Sequence, residues 1–493
     1  MVNDLIFTTP ESAGLSSKMI VKFLDRTREM RMNLHALMLV KDGKILTEGY
    51  YKPFHKDFMH RLYSCSKTFV SLAVGKLAGE GKIRLEDKII DYFPDLLDRE
   101  QGKWMKDCTI EDALKMSVPM LTDTYACDMK EWAWSFFNRL PDLKPAGTVF
   151  NYNTSGSFIL DVIVERVTGK TFLEYLRPEF EKIGVSKDIW CVKSPDNYSW
   201  GGSGVVATLR DFAKVGELIM NLGEYKGEQL LPRWYMEKAT TTQIYNCMEN
   251  NSIAYRAHGY GYQIWMHEDG FCLSGMGSQM IYCFPKKNFM FVCQGDTQSS
   301  ADFSSRMLLH LVKDYFYDEM QEKPLSEDEA SFNALQERLQ NLTVNIPIGK
   351  DSTAFEKQVD GITYTLEENA LGWKNFRFDF NKDGGVLTYE NARGVKKLPF
   401  GRNEYADTTF PETDYYDTKV GEPARRELRV LSTLSWVEEQ KILLRINFID
   451  TNLGNIYINF GFKGDEVGIC AMKRAEFFAF DYEGYAGGKK SDK

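Results

Sequence analysis

Apolar residues follow two different spacings over the first 320 positions of the chain. Between residues 16 and 31 they recur every three or four positions, which predicts an amphipathic helix. Strand-like runs follow at 36–40 and 44–50 around a glycine-containing turn, and further runs lie at 271–274, 280–284 and 289–293. We expect these runs to pair in one antiparallel sheet, which a helix at about 302–320 would close.

The last third of the chain has a different pattern. Its apolar residues alternate with polar ones, as in 376–380, 441–448 and 455–460, which predicts a small all-β domain, either a barrel or a sandwich. A boundary is expected near residue 323, where Ser326 to Glu329 resemble a capping box that opens a helix. We therefore expect an α/β domain at 1–322, a helical linker at 323–350 and the β domain at 351–493.

One apolar helix carries candidate chemistry. Residues 69–77 have helical spacing, and Ser64 lies at or near the first turn, three positions before Lys67. At this spacing the two side chains share a face of the helix. A lysine among apolar neighbours can lose its proton near neutral pH and activate the serine, while the helix N-terminus favours a developing oxyanion. The pattern predicts a serine nucleophile with a lysine base.

Other interpretations of this stretch are simpler. A Ser-x-x-Lys pair is expected by chance about twice in a chain of this length. Cys65 could itself be mistaken for a nucleophile, but no histidine is close in sequence to activate it. The nine cysteines are scattered without a Cys-x-x-Cys pair, so we expect reduced core residues.

Composition and charge exclude several function classes. The 61 basic and 70 acidic residues give a net charge of −9 and are spread along the chain, so no basic stripe indicates nucleic-acid binding. No signal sequence or membrane span is evident, which predicts a cytoplasmic protein without membrane contact. His258 and His267 belong to no metal-binding spacing, so we expect no metal and no cofactor.

Three further sequence motifs follow the Ser64 helix along the chain. They are the turn-rich segment around Tyr152, the glycines Gly201 and Gly202 before an apolar helix, and a strand that ends in Leu273-Ser274-Gly275. In order and spacing, the four motifs resemble the serine β-lactamase and penicillin-binding-protein-like family, above all its class C β-lactamase and esterase branch. The resemblance covers roughly residues 5–320.

The resemblance implies a fold and a set of catalytic roles. The fold would be α/β, with an antiparallel sheet packed against helices and a mostly helical region in the middle. Ser64 would be the acylated nucleophile, Lys67 its proton partner, and Tyr152 the group that passes a proton to the leaving group. The backbone N–H groups of Ser64 and Met276 would form the oxyanion hole.

The substrate-binding positions depart from the family pattern at two places. By the same resemblance Thr154, Ser274 and Gly275 would line the substrate, but Thr154 stands where the family has an asparagine. Leu273 replaces a basic residue that would hold a substrate carboxylate. These departures disfavour β-lactams and favour neutral acyl groups, so we expect a serine esterase or amidase on small ester, amide or peptide substrates.

Several alternatives remain at this point. One is β-lactamase, D-aminopeptidase or penicillin-binding activity, and another is a scaffold or sensor that acylates without turnover. An α/β-hydrolase is disfavoured because the chain has no Gly-x-Ser-x-Gly. The β domain could cover the mouth of the active site or mediate oligomerisation, and no residue decides between these roles or predicts an oligomeric state.

Overall fold

A computed structural model describes residues 6–126, 130–246, 258–297, 303–413, 426–474 and 482–491, without the side chains of 126 and 303–306. The chain divides into two compact units, Met1–Thr343 and Val344–Lys493. Among the described residues, no helix is long and apolar enough to cross a bilayer.

The helices of the first unit are largely those that the sequence predicts. The helix expected at 16–31 spans Ser17–Glu29 (α1), and the helix of the Ser-x-x-Lys motif spans Ser66–Gly79 (α2). The remaining helices are Ile110–Leu114 (α3), Trp132–Asn138 (α4), Thr154–Thr168 (α5), Phe172–Ile183 (α6), Leu209–Met220 (α7), Arg233–Ala239 (α8), Phe303–Val312 (α9) and Glu329–Gln340 (α10). A turn of π-helix at Lys313–Tyr317 extends α9.

Over the described residues, the main sheet of the first unit has seven strands in the order β1-β3-β2-β12-β11-β10-β9. They span Ile6–Phe7 (β1), Leu34–Lys41 (β2), Lys44–Tyr50 (β3), Trp265–His267 (β9), Gly270–Gly275 (β10), Gln279–Phe284 (β11) and Phe289–Gly295 (β12). The N-terminal hairpin β2–β3 therefore pairs with the later strands through β12, and the predicted antiparallel sheet is confirmed. The sequence did not predict β1, which pairs in parallel with β3 at the edge.

Between β3 and β9 the chain is mostly helical, as the family resemblance implies. The short strands there are His60–Arg61 (β4), Trp190–Cys191 (β5), Val205–Ala207 (β6), Glu224–Tyr225 (β7) and Glu228–Gln229 (β8). Pairing of β4 with β6 brings the segment before Ser64 next to the strand that follows Gly201 and Gly202. This pairing joins two of the sequence motifs.

The end of the first unit lies beyond the expected boundary. The predicted capping box at Ser326 is wrong, because Asp328 caps α10 by accepting a hydrogen bond from the Ser331 N–H at 3.1 Å. Arg338 of this helix forms an ion pair with Asp25 of α1 at 2.5 Å. The helix expected in a linker therefore belongs to the first unit, which ends at Thr343.

The second unit is a β barrel. Its strands are Thr363–Leu366 (β13), Asn375–Phe380 (β14), Gly384–Asn391 (β15), Gly394–Arg402 (β16), Ala406–Thr409 (β17), Arg429–Glu438 (β18), Lys441–Phe448 (β19), Asn455–Lys463 (β20), Glu466–Arg474 (β21) and Gly484–Lys490 (β22). They pair in the order β16-β15-β14-β13-β22-β21-β20-β19-β18-β17, and a parallel pairing of β16 with β18 closes the sheet. A short helix, Glu356–Val359 (α11), precedes the first strand. Inward-facing aromatic residues such as Phe376, Phe378 and Phe460 form the core, as the alternating pattern predicts.

Candidate active site

Ser64 lies in a tight turn immediately before α2. Residues Tyr63–Cys65 form a single 3-10 turn, so the serine precedes the helix. Tyr63 has a φ of +48°, a conformation that is rare for a bulky residue. The guanidinium of Arg61 lies 4.8 Å from the centre of the Tyr63 ring and packs against it. The turn leaves the Ser64 side chain only half-buried.

Lys67 lies beside the Ser64 hydroxyl in a dry environment. Its side chain is 1% exposed, and its Nζ donates to Ser64 Oγ at 3.1 Å and to the Gly202 carbonyl at 2.6 Å. Burial lowers the pKa of Lys67 to about 7, although the charge of Asp123 opposes part of that shift. A large fraction of Lys67 is therefore a neutral amine near pH 7, able to accept the serine proton.

Two glycines let the loop that holds Lys67 approach α5. A Cβ on Gly202 would meet the Thr154 Cγ2 at 2.6 Å, and one on Gly201 would meet the Asp161 Cβ at 2.9 Å. The Gly201 N–H donates to Asp161 Oδ2 at 3.1 Å. The glycines thus serve close packing and position the carbonyl that binds Lys67.

Tyr152 lies next to the same amine. The Lys67 Nζ is 5.0 Å from the centre of the Tyr152 ring, and that ring stacks on Trp265 at 5.3 Å. The neighbouring side chains Asn151 and Asn153 donate to the carbonyls of residues 120 and 122, each at 3.1 Å. These bonds hold the backbone on both sides of Tyr152. The structure therefore brings together the three predicted catalytic residues.

The two residues after Tyr152 lie at the start of α5. Asn153 is buried and caps α5, because its side-chain oxygen accepts from the Gly156 N–H at 2.9 Å. Its amide is therefore committed to the start of the helix. Thr154 follows as the first residue of α5 and is 8% exposed, and its substrate-binding role stays a prediction.

The end of β10 borders the Ser64 turn. Gly275 allows this approach, since a Cβ at that position would collide with the Leu62 carbonyl. Ser274 is half-buried, whereas Leu273 is 1% exposed and is a core residue opposite Ile281 of β11. Ser274 and Gly275 lining the substrate, and an oxyanion hole formed by the N–H groups of Ser64 and Met276, stay predictions.

Cys65 and His267 have structural roles. Cys65 is fully buried, its Sγ donates to the Gln279 carbonyl at 3.1 Å, and burial raises the pKa of its thiol well above the ordinary value. His267 contacts the carbonyls of Phe271 and Cys283 at 3.1 Å, and burial lowers its pKa to about 4. Within the described parts of the chain, no three His, Cys, Asp or Glu residues are grouped as a metal ion would require.

Two residues near the site were missed by the sequence analysis. Asp123 Oδ1 accepts from the Ser155 N–H at 2.8 Å, and its Oδ2 accepts from the Tyr125 hydroxyl at 2.9 Å. Both residues lie in a loop without helical or strand periodicity. Asp and Tyr are common in such loops, so the sequence carried no signal for them.

Comparison with known proteins agrees with this geometry. The family model "Beta-lactamase" matches residues 29–306, more than half of the chain. The chain belongs to the beta-lactamase family. The chain has the β-lactamase-like fold expected from the sequence motifs, and its similar proteins include β-lactamase-like proteins and penicillin-binding-protein homologues.

Individual relatives are distant. The 6-aminohexanoate-dimer hydrolase of Paenarthrobacter ureafaciens is 24% identical over 284 residues, which cover 52% of this chain and 71% of that protein. A putative 6-aminohexanoate-dimer hydrolase from Bacillus anthracis superimposes with a TM-score of 0.51 at 20% identity, over 66% of this chain and 92% of that one. A family VIII carboxylesterase superimposes with a TM-score of 0.50 at 16% identity, over 64% of this chain and 100% of that one. At such identities the solved structures establish the fold alone.

Proposed function

We propose that this protein is a serine hydrolase that forms an acyl-enzyme on Ser64 and acts on small esters or amides. The contact between the Lys67 amine and the Ser64 hydroxyl, at 3.1 Å, carries this proposal. An amine whose pKa is about 7 accepts a proton near neutral pH, where an ordinary lysine could not. Family membership and the names of the relatives, one an amide hydrolase and one a carboxylesterase, support the same class of reaction.

The reaction would follow from the positions of these groups. The Lys67 amine accepts the Ser64 proton as Oγ attacks the carbonyl carbon, and the resulting oxyanion is held by the backbone N–H groups of Ser64 and Met276. Tyr152, next to the Lys67 amine, passes a proton to the leaving alcohol or amine. Water then hydrolyses the acyl-enzyme by the same steps, which releases the acid and restores Ser64.

The decisive experiment combines active-site labelling with turnover. We expect a fluorophosphonate probe to label the wild-type protein and p-nitrophenyl acetate and butyrate to be hydrolysed, while nitrocefin stays intact. Ser64→Ala should abolish labelling and turnover. Ser71→Ala is the matched control, because Ser71 lies further along α2 and its hydroxyl bonds to the Tyr235 hydroxyl at 2.8 Å.

Three outcomes would change the proposal. Labelling of Ser64 without ester or amide turnover would favour a sensor that acylates slowly. An unlabelled, folded protein would contradict a catalytic Ser64. Rapid nitrocefin hydrolysis would favour the β-lactamase alternative. It would contradict the inference that Leu273, in place of a basic residue, disfavours β-lactam substrates.

A further inference from the structure

Backbone strain in the interior of this protein is concentrated around the candidate active site. Residues other than glycine rarely adopt a positive φ, because the Cβ then crowds the backbone. In the part of the chain that the structure describes, the buried non-glycine residues with this conformation are Tyr63, Met116, Gln263 and Ser278, each 1–3% exposed. Tyr63 precedes Ser64, and Ser278 follows Met276 by two positions. The Met116 carbonyl accepts from the Asn151 N–H at 2.7 Å, next to Tyr152. Strain of this kind persists where the surroundings hold it, and it is typical of active sites.

Gln263 lies in a tight turn between Tyr260 and Trp265, which pair with each other across it. The Gly261 N–H donates to the Ile264 carbonyl at 2.8 Å and closes the turn. The φ of Gln263 is +59°, a conformation that glycine would adopt without strain. The contacts of the glutamine side chain therefore have to offset the strain that this residue introduces.

The amide of Gln263 is bonded on both sides inside the protein. Its Nε2 donates to the carbonyls of Ala113 and Leu114 at 2.8 and 2.9 Å, at the end of α3. Its Oε1 accepts from the hydroxyl of Ser157 at 2.6 Å, and Ser157 belongs to α5. One side chain thus ties the turn to two helices, of which α5 directly follows the Tyr152 segment.

The same turn contacts the surroundings of both candidate proton-transfer groups. The Gln263 carbonyl accepts from the Thr68 hydroxyl at 2.9 Å, and Thr68 directly follows Lys67 in α2. At the end of the turn, the Trp265 ring stacks on the Tyr152 ring, with 5.3 Å between the centres and 23° between the planes. A shift of the turn would therefore change the separation of 5.0 Å between the Lys67 Nζ and the Tyr152 ring centre.

We propose that Gln263 is a positioning residue, which holds Tyr152 at the Lys67 amine and so controls the delivery of a proton to the leaving group. The proposal rests on the proposed hydrolase function. It extends the substrate class to esters and amides with basic leaving groups, which need that proton in order to depart. Neither the family match nor the catalytic motifs require a glutamine at this turn.

The step that Gln263 would control is the collapse of the tetrahedral intermediate. The bond between the carbonyl carbon and the leaving oxygen or nitrogen breaks, and its electron pair stays on the leaving atom. That atom takes the proton of the Tyr152 hydroxyl, and Tyr152 recovers a proton from the Lys67 ammonium, which had received it from Ser64. A displaced Tyr152 ring would slow this transfer and leave the attack of Ser64 unchanged.

The test compares ethyl acetate with p-nitrophenyl acetate. Both form the same acetyl-enzyme, but ethoxide needs a proton to leave, whereas p-nitrophenolate does not. The measured quantity is kcat/KM for ethyl acetate divided by kcat/KM for p-nitrophenyl acetate. Both values come from one preparation, so the fraction of folded protein cancels. Tyr152→Phe removes the proton donor and should lower this ratio about 10²-fold.

Three variants loosen the turn to different degrees. Gln263→Gly removes the side chain and keeps the turn, because glycine readily adopts a positive φ. Gln263→Met keeps the length and removes the polar contacts of the side chain. For both we expect the ratio to fall about tenfold, as displacement of a catalytic group predicts. Thr68→Val is isosteric, breaks only the bond from α2 to the Gln263 carbonyl, and should lower the ratio about threefold.

Gln294→Met is the matched control. Gln294 lies on β12 and is 1% exposed, and its Nε2 donates to the Ala207 carbonyl at 3.2 Å. The change therefore also removes a buried amide that connects two distant segments. It should lower the free energy of unfolding and keep the wild-type ratio. A merely structural role of Gln263 would give the same result.

The outcomes distinguish the two proposals. If the Gln263 variants and Thr68→Val keep the wild-type ratio, or if Tyr152→Phe keeps it, the positioning role is overturned and the hydrolase function stands. If the Gln263 variants do not fold, Thr68→Val decides. A wild-type enzyme that leaves ethyl acetate intact also overturns the positioning role. If neither ester is hydrolysed and the fluorophosphonate probe does not label Ser64, both proposals are overturned.

Discussion

Two lysines on α2 have opposite surroundings. Near the C-terminal end of the helix, Lys76 lies 2.6 Å from Glu179 and donates to the Tyr175 carbonyl, with the two charged side chains 13% and 14% exposed. Near the N-terminal end, Lys67 is bonded to a hydroxyl and a carbonyl, both neutral. The same residue type is thus an ion-pair partner at one end and a candidate base at the other. Burial lowers the pKa of a lysine and lets it act as a base where no carboxylate forms an ion pair with it.

Burial of Lys67 without a carboxylate partner lowers the free energy of unfolding. The pKa of Lys67 is lowered from 10.5 to about 7, so between these values the unfolded chain binds a proton that the folded protein lacks. The free energy of unfolding therefore rises with pH across this window, and the penalty is fully present below pH 7. Its size is about 5 kcal/mol by proton linkage.

Replacing Lys67 should have the largest effect. For Lys67→Met we expect kcat to fall by about 10³-fold or more, because Ser64 loses its base. The free energy of unfolding at pH 6 should rise by about 1–2 kcal/mol, since the relief of a buried charge exceeds the loss of two hydrogen bonds. Ester hydrolysis and urea denaturation at pH 6 and 10 check both effects. An active variant, or a gain in stability that persists at pH 10, would contradict this assignment.

Replacing Lys76 should give the reverse result. Lys76→Met leaves Glu179 without its cation, so we expect the free energy of unfolding to fall by about 2–3 kcal/mol. The value of kcat should stay within about threefold of wild type because Lys76 lies more than two helical turns beyond Lys67. Denaturation and ester hydrolysis on one preparation test this. A large loss of kcat without loss of stability would remove the contrast between the two lysines.

The pH dependence of the rate should show the smallest effect. We expect kcat/KM for a neutral ester to fall about tenfold per pH unit below pH 7, because the protonated Lys67 amine cannot accept the serine proton. Lys76→Met serves as the control, and its kcat/KM should fall below pH 7 in the same way as that of the wild type. A flat profile between pH 5.5 and 8 would show that Lys67 does not titrate there.

The predictability of the elements depended on local signals. The hairpin β2–β3 has apolar runs around a Gly43 turn, and α6 has Thr171 and Glu174 as a capping box, so both were predictable. Near α10, Ser326 and Asp328 are both suitable caps, and the sequence pattern favoured the wrong one. The edge strand β1 has two residues and no period, so nothing in its sequence indicated pairing.

The candidate site was predictable in part. Ser64, Lys67 and Tyr152 were found from motif spacing, and the structure brings them together. Asp123 and Tyr125 were missed because their positions arise from folding of a loop against the start of α5.

The sequence by itself determined the periodic elements, the turn chemistry and the four motifs in order, because these depend on neighbours within a few positions. Tertiary structure alone decided which of the two lysines of α2 found a carboxylate partner. It also closed the alternating strands of the second unit into a barrel rather than a sandwich. Both outcomes depend on contacts between residues far apart in the chain, whose geometry no local pattern records.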